Sequence, residues 1–200
     1  GCGNSPFRHL LDPARTQYQG IDVEVAASFG YRNPDTVYYD GKIIPFADNS
    51  FDALLCTEVL EHVPEDGPFV REMHRVLKPG GLALVTIPWS ARFHYQPYDY
   101  HRYTPSTLHL IFAPFRECTV RPRGTDFSSI ASKIVVAYVR NLLRLKPAGA
   151  GDWLLIPFRL AAVLLGLPFL LVALGLGHAG ILCGLGSTDD PLGYTLVLKK

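Results

Sequence analysis

Residues 44–63 read IPFADNSFDALLCTEVLEHV, and the centre of that stretch decides the fold class. Phe51 to Cys56 is a short apolar run led in by Asp48-Asn49-Ser50, the pattern expected of a strand buried on both faces of a sheet. Downstream the period changes. From Pro68 to Leu77, Phe69, Val70, Met73, Val76 and Leu77 fall at helical spacing, and Lys78-Pro79-Gly80-Gly81 supplies a stop. Leu82 to Ile87 is the next strand, and Thr104-Pro105 places an N-cap before a first-turn proline, opening a short helix to Ile111 or Phe112. Upstream, Tyr18–Val23 and Thr36–Tyr39 are β-prone runs, the second ended by Asp40-Gly41. Strands alternating with helical patterns predict an α/β layer architecture around a mostly parallel sheet.

Composition narrows what such a domain does. Two hundred residues suit one domain, and 48% hydrophobic against 18% charged calls for a folded core. Nineteen basic and eighteen acidic residues leave a formal net charge of +1, so no whole-molecule field recruits nucleic acid. Cys2, Cys56, Cys118 and Cys183 are scattered without metal-ligand spacing, so neither a disulfide framework nor a zinc site is expected, and a reducing cytoplasmic setting follows. The sequence opens on Gly1-Cys2-Gly3 with neither a start residue nor a signal sequence and reads as a fragment.

Asp22 follows Gly3 by 19 positions and ends the next strand. Glycines admit close approach of a ligand, and a carboxylate about 20 residues later can accept from both ribose hydroxyls, the logic of a nucleoside site. Taken alone, the two glycines equally describe a tight turn. The strings Asp40-Gly41, IPFADNSFD, Glu58-Val59-Leu60-Glu61-His62-Val63 and Leu77-Lys78-Pro79-Gly80-Gly81 follow in order. Together they resemble the class I S-adenosylmethionine-dependent methyltransferases, particularly the type 11 small-molecule group, from Gly1 to about Gly124, with Tyr194–Leu198 as the last strand.

That resemblance implies a Rossmann-like doubly wound sheet with its first strand missing, and an enzyme that moves a methyl group from S-adenosyl-L-methionine to a small-molecule or lipid-linked acceptor by direct displacement. It places Gly1, Cys2 and Gly3 against the methionine portion of the cofactor, Asp22 on the ribose, Asp40 with Gly41 at the adenine, and Cys56, Thr57 and Glu58 beside the sulfonium. Asn4-Ser5-Pro6 departs from the more glycine-rich loop of the family. With the first strand absent, residues 1–200 alone are expected to bind cofactor poorly and fold marginally. An in-line displacement needs alignment rather than a metal or a covalent nucleophile. Glu61 and His62 read as residues that cap, orient backbone or face solvent, and Cys56 reads as packing. A nicotinamide-dependent Rossmann oxidoreductase shares the glycines and the acid but gives no reason for the other strings. A catalytically silent, membrane-attached cofactor-binding module is the alternative from another class.

Trp89 to Thr104 follows the LALVTIP strand, where open α/β sheets bind ligands. Its aromatic faces suit a sulfonium or an acceptor ring. His94 or His101 is a candidate proton acceptor, and Arg102 a candidate anchor for a carboxylate or phosphate. Equally, Asp99 and Arg102 pair to stiffen the loop.

Composition shifts near residue 150, giving a methyltransferase domain over 1–150, an apolar insertion over 151–188 and a final strand within 189–200. Leu160 to Gly186 carries no Lys, Arg, Asp or Glu over 27 residues, and as one helix it would reach about 40 Å. Gly166, Pro168, Gly175, Gly177, Gly180, Gly184 and Gly186 are expected to break it. A last strand that returns to the sheet forbids a single crossing, which leaves an interfacial or re-entrant hairpin, or a flap on protein. With Arg140, Arg144, Lys146 and Arg159 flanking it, the expectation is peripheral contact with the cytoplasmic membrane face through 153–186.

Overall fold

Sequence alternation becomes two layers of strand and helix. The computed structural model describes residues 1–142 and 149–200. Two units divide the chain, Gly1–Arg121 with Tyr194–Lys200, and Pro122–Gly193.

In the first unit, β1 (Gly20–Val23) and β2 (Thr36–Tyr39) pair in parallel, Gly20 opposite Thr36 and Val23 opposite Tyr39. Four further strands form a second sheet, in the order β3 (Phe51–Thr57), β4 (Leu77–Pro88), β6 (Gly193–Lys199), β5 (Glu117–Arg123). β3 and β4 are parallel, with Ala53 opposite Leu82 and Thr57 opposite Thr86. β6 is antiparallel to β4, because Lys200 at its end exchanges hydrogen bonds with Gly80 and Gly81 while Tyr194 at its start meets Trp89.

The core lies on one face of the larger sheet. Ala83, Val85 and Ile87 of β4 and Leu196 and Leu198 of β6 alternate inward. They meet Phe69, Val70, Met73 and Val76 of α1 (Asp66–Val76), and Leu108 of α2 (Pro105–Ile111) with Phe112 just beyond it. Each fully buried aliphatic side chain contributes about 1.5–3 kcal/mol. α2 starts as the Thr104-Pro105 pair predicts, the Thr104 hydroxyl accepting from the Thr107 N–H at 3.3 Å. Two expectations are corrected. β3 is not buried on both faces: Leu55 is 47% exposed, as are Leu82 at 50% and Leu84 at 41% beside it. The packing helices α1 and α2 cover the opposite face, and an apolar run does not tell one covered face from two. Lys78-Pro79-Gly80-Gly81 stops α1 but does so from within β4, which begins at Leu77 because Leu77 pairs with Phe51.

In the second unit, α3 (Asp126–Ala137) begins with the Ser128 hydroxyl accepting from the Thr125 N–H at 3.2 Å. α4 (Ile156–Leu182) is one unbroken helix of 27 residues, so the breaks expected at Gly166, Pro168, Gly175, Gly177 and Gly180 do not occur, whereas Gly184 and Gly186, both at positive φ, lie just past its end as expected. Gly177 and Gly180 serve packing instead. A Cβ on Gly177 would stand 2.9 Å from the Ala131 Cβ, and one on Gly180 would stand 3.1 Å from the Phe127 ring. The Tyr138 hydroxyl donates to the Val163 carbonyl at 2.6 Å. Phe127 and Tyr138 therefore meet opposite ends of α4, which makes α3 and α4 an antiparallel hairpin. The hairpin thus pairs α4 with α3, rather than folding within the apolar segment itself. Asp126 N–H donates to Ser187 O and Leu192 N–H to Arg123 O, so both ends of the unit close together. Arg144 and Lys146, expected to flank the apolar segment, lie outside the described residues.

Candidate active site

Strand ends place the site. Cys2 N–H donates to Ile21 O at 2.9 Å, which sets Gly3 beside the end of β1. The two oxygens of Asp22 accept from the Gly3 and Val23 N–H groups, each at 2.8 Å, and the residue is 5% exposed. Gly3 has φ +51°, and a Cβ there would lie 3.3 Å from the Tyr31 ring; a Cβ on Gly1 would overlap Val59 at 2.6 Å. Only glycine fits this turn without displacing side chains. Past β2, Asp40 is exposed and accepts from the Lys42 N–H at 2.9 Å, with Gly41 at φ +82° after it. The Tyr39 hydroxyl is pushed up to about 12 by burial first, then by Cys56, Asp22 and Asp40, which records how close these strand ends lie.

At the end of β3, Cys56 is buried and its thiol is pushed up to about 12, burial first, with Glu61 and Glu58 adding. That supports the packing reading and makes the thiol inert. Glu58 follows at φ +52°, a strained conformation for a non-glycine residue, held by its N–H donating to Thr86 O at 2.9 Å. Glu61, in the turn Leu60–His62, is wholly buried, and neither carboxylate oxygen accepts a hydrogen bond. Burial raises its pKa to about 7. A role facing solvent is thereby corrected for Glu61.

The loop after β4 is latched onto that turn. Tyr100 and His101 N–H groups donate to Glu61 O at 2.8 and 3.3 Å, and the Tyr103 hydroxyl donates to Leu60 O at 3.3 Å. Arg102 grips Asp99 with both prongs, at 2.7 and 2.9 Å, and also donates to the Arg92 and His101 carbonyls. This is the loop-stiffening geometry. Burial alone would raise the Asp99 carboxyl, but Arg102 and the His94 N–H outweigh it and hold it at about 2. The His94 Nδ1 lies 3.0 Å from Asp99 Oδ2, and the His94 ring meets that of His62 edge-on at 4.8 Å. Tyr95 sits against His62 and Phe29, and its hydroxyl bonds that of Tyr31 at 2.7 Å. His101 packs on Tyr103 instead, its Nε2 buried without a hydrogen-bond partner.

Gly1, Cys2, Gly3, Asp22, Cys56 and Glu58 are thus brought to neighbouring strand ends, with Asp40 and Gly41 beyond β2. His94 joins them through His62 and Tyr95, while Arg102 is occupied by Asp99. Sequence reading missed Phe29 and Tyr31, which follow β1 with no periodic or motif signal, and it missed the inward turn of Glu61. The one available cue for Glu61 was its adjacency to His62.

Residues 1–85 match the family model described as a methyltransferase domain. Over this segment the chain is similar to methyltransferase domains. An uncharacterized methyltransferase of Mycobacteroides abscessus is 37% identical to the chain over 95 residues, which cover 43% of this chain and 37% of that protein. The chain therefore matches less than two fifths of that relative's length. A solved S-adenosylmethionine-dependent methyltransferase from Archaeoglobus fulgidus superposes with a TM-score of 0.57 at 15% identity, covering 100% of this chain and 83% of that one. The [4+2]-cyclase SpnF superposes at 0.52 and 19% identity, covering 100% and 72%. At such identities the likeness is one of fold: the chain is Rossmann-like α/β, with an apolar helix before the last strand. SpnF shows by its name that this fold hosts more than one reaction.

Proposed function

We propose that the chain binds S-adenosyl-L-methionine and transfers its methyl group to a small-molecule or lipid-associated acceptor. The observation that carries this reading is the Gly3–Asp22 junction. A glycine in left-handed conformation offers its backbone to a ligand, and a buried carboxylate, with lone pairs left after two backbone N–H bonds, accepts hydroxyls beside it. These residues fit the cofactor. Gly1 to Gly3 would carry the methionine portion, Asp22 the ribose and Asp40 the adenine. The cofactor, once bound, supplies a methyl already activated on a sulfonium.

What remains for the protein is orientation and exclusion of water. The loop from Trp89 to Thr104, stiffened by Asp99 and Arg102, presents Tyr95, Tyr98 and His94 at the strand ends, where the acceptor would lie. Calorimetry on the full-length protein with S-adenosylmethionine, S-adenosylhomocysteine and a nicotinamide dinucleotide tests the reading. Tighter binding of the first two is expected, and preference for the nicotinamide overturns it. Binding without methyl transfer across a panel of quinone, sugar and lipid-linked acceptors would favour the silent module.

The lipid-associated acceptor rests on the second unit. Trp153–Leu182 is long and apolar enough to cross a bilayer, and Phe158, Leu165, Phe169 and Leu182 are each more than 70% exposed on it. Ile130 and Val139 on α3 and the turn after it add to that surface. An antiparallel hairpin leaves and returns on one side, as the return of β6 to the sheet requires. We place it as a peripheral insertion on the cytoplasmic membrane face. Flotation with anionic liposomes is the test, and protein that stays at the bottom of the gradient with and without anionic lipid overturns it.

A further inference from the structure

Glu61, His62 and His94 each offer one ligand atom, and these atoms all lie within 4.8 Å of one another. We propose that these three side chains bind one divalent transition-metal ion of the zinc class. Two histidines and a carboxylate form a donor set for such an ion, with at least one coordination position left open.

Three independent features support the assignment. First, Glu61 is wholly buried and neither carboxylate oxygen accepts a hydrogen bond, which is costly for a carboxylate unless a cation satisfies it. Its Oε1 stands 3.7 Å from His62 Nε2, close to the roughly 3.3 Å between donors on a tetrahedral ion. Second, both imidazoles are oriented as metal ligands are. His62 Nδ1 is bonded to the Tyr98 carbonyl at 2.5 Å, and His94 Nδ1 lies 3.0 Å from both Asp99 Oδ2 and the Arg92 carbonyl. Each ring thereby keeps its Nδ1–H for an acceptor and leaves Nε2 for an ion, the outer-shell arrangement that fixes a ligand's tautomer. Third, the Arg102 charge that acts on Glu61 and His62 is offset, because both prongs of its fork are bound to the Asp99 carboxylate.

The His62 and His94 side chains are each 21% exposed while Glu61 is sealed, so the ion would sit at the base of an accessible recess. An open coordination position there suits an oxygen ligand, whose proton the ion would make easier to lose. Use of that position by a methyl acceptor rests on the proposed function. The metal site itself does not.

Titration of the full chain with Co2+ alone, without cofactor or acceptor, reads the site through visible absorption. One equivalent of Co2+ is expected, displaced by Zn2+. Glu61→Gln, His62→Asn and His94→Asn should each weaken binding by about tenfold or more, the asparagines keeping a donor where Nδ1–H now points. Asp99→Asn, a change at a positioning residue, should cost about 10–100-fold in metal affinity with all three ligands intact. His109→Ala, on the exposed side of α2, should change nothing. No saturable Co2+ uptake by folded protein overturns the proposal. So does uptake untouched by Glu61→Gln and His94→Asn in variants whose circular dichroism and melting match the parent. Failure of S-adenosylmethionine to bind would overturn the proposed function while leaving the Co2+ result standing, so the two readings fail separately.

Discussion

Asp99 and Arg102 form a two-pronged ion pair in which the carboxylate is 1% exposed and the guanidinium 25%. The same carboxylate accepts from the His94 N–H at 3.0 Å. One buried acid therefore sets the path of the loop from His94 to Arg102, and that loop, which follows β4, brings a histidine to the turn after β3.

Removing the guanidinium should be felt as stability. Arg102→Ala leaves Asp99 buried with its main partner gone and should cost about 2–4 kcal/mol, read by urea unfolding. Arg102→Lys should recover only part of this, because a single ammonium does not reproduce the fork. A loss below about 0.5 kcal/mol for Arg102→Ala would show that the pair is a surface contact.

Asp22 is expected to act on binding. Asp22→Ala should weaken S-adenosylmethionine by about 1–3 kcal/mol in calorimetry, through lost charged hydrogen bonds and release of the Gly3 N–H. Unchanged affinity would remove Asp22 from the site.

Cys56 provides the pH test. Its thiol titrates at about 12 in the fold against an ordinary 9.0, burial being the first cause. The unfolded chain therefore ionises first: the contribution to stability is full below about pH 9 and is lost as pH rises towards 12. At pH 8, iodoacetamide should label exposed Cys183 and leave Cys56 unmodified until the protein is denatured. Peptide mapping that finds both labelled at equal rates contradicts the assignment.

The α3–α4 contact depends on small residues. Gly177→Leu would force a side chain against Ala131 and should cost about 1–3 kcal/mol, whereas Gly175→Ala, where a Cβ meets nothing within 4 Å, should be neutral or mildly stabilising. Thermal melting of the two variants in detergent checks the order, and equal effects would remove the close helix contact.

Much of this was legible in residue order. Thr36–Tyr39 is the strand expected, α1 covers the predicted apolar spacing as far as Val76, and Thr104 caps α2. Local propensity and period determine such elements, because each depends on neighbours within a few positions. The glycines with Asp22, the IPFADNSFD string and the EVLEH string likewise carry the resemblance to methyltransferases.

Other properties depend on which surfaces meet, and a linear pattern does not contain that. Leu55 looks as buried as Val85 until helices are seen to cover one face of the sheet. Gly177 and Gly180 look like breaks until α3 uses them as its contact. Glu61 looks like a solvated helix-entry residue until the loop carrying Tyr100 and His101 closes over it. By itself the sequence determined the likeness to methyltransferase domains and the order of its elements, through short-range pattern. Only tertiary structure decided which charges are buried. It set Glu61, His62 and His94 together across 33 residues of chain, because desolvation and pairing arise from long-range contacts.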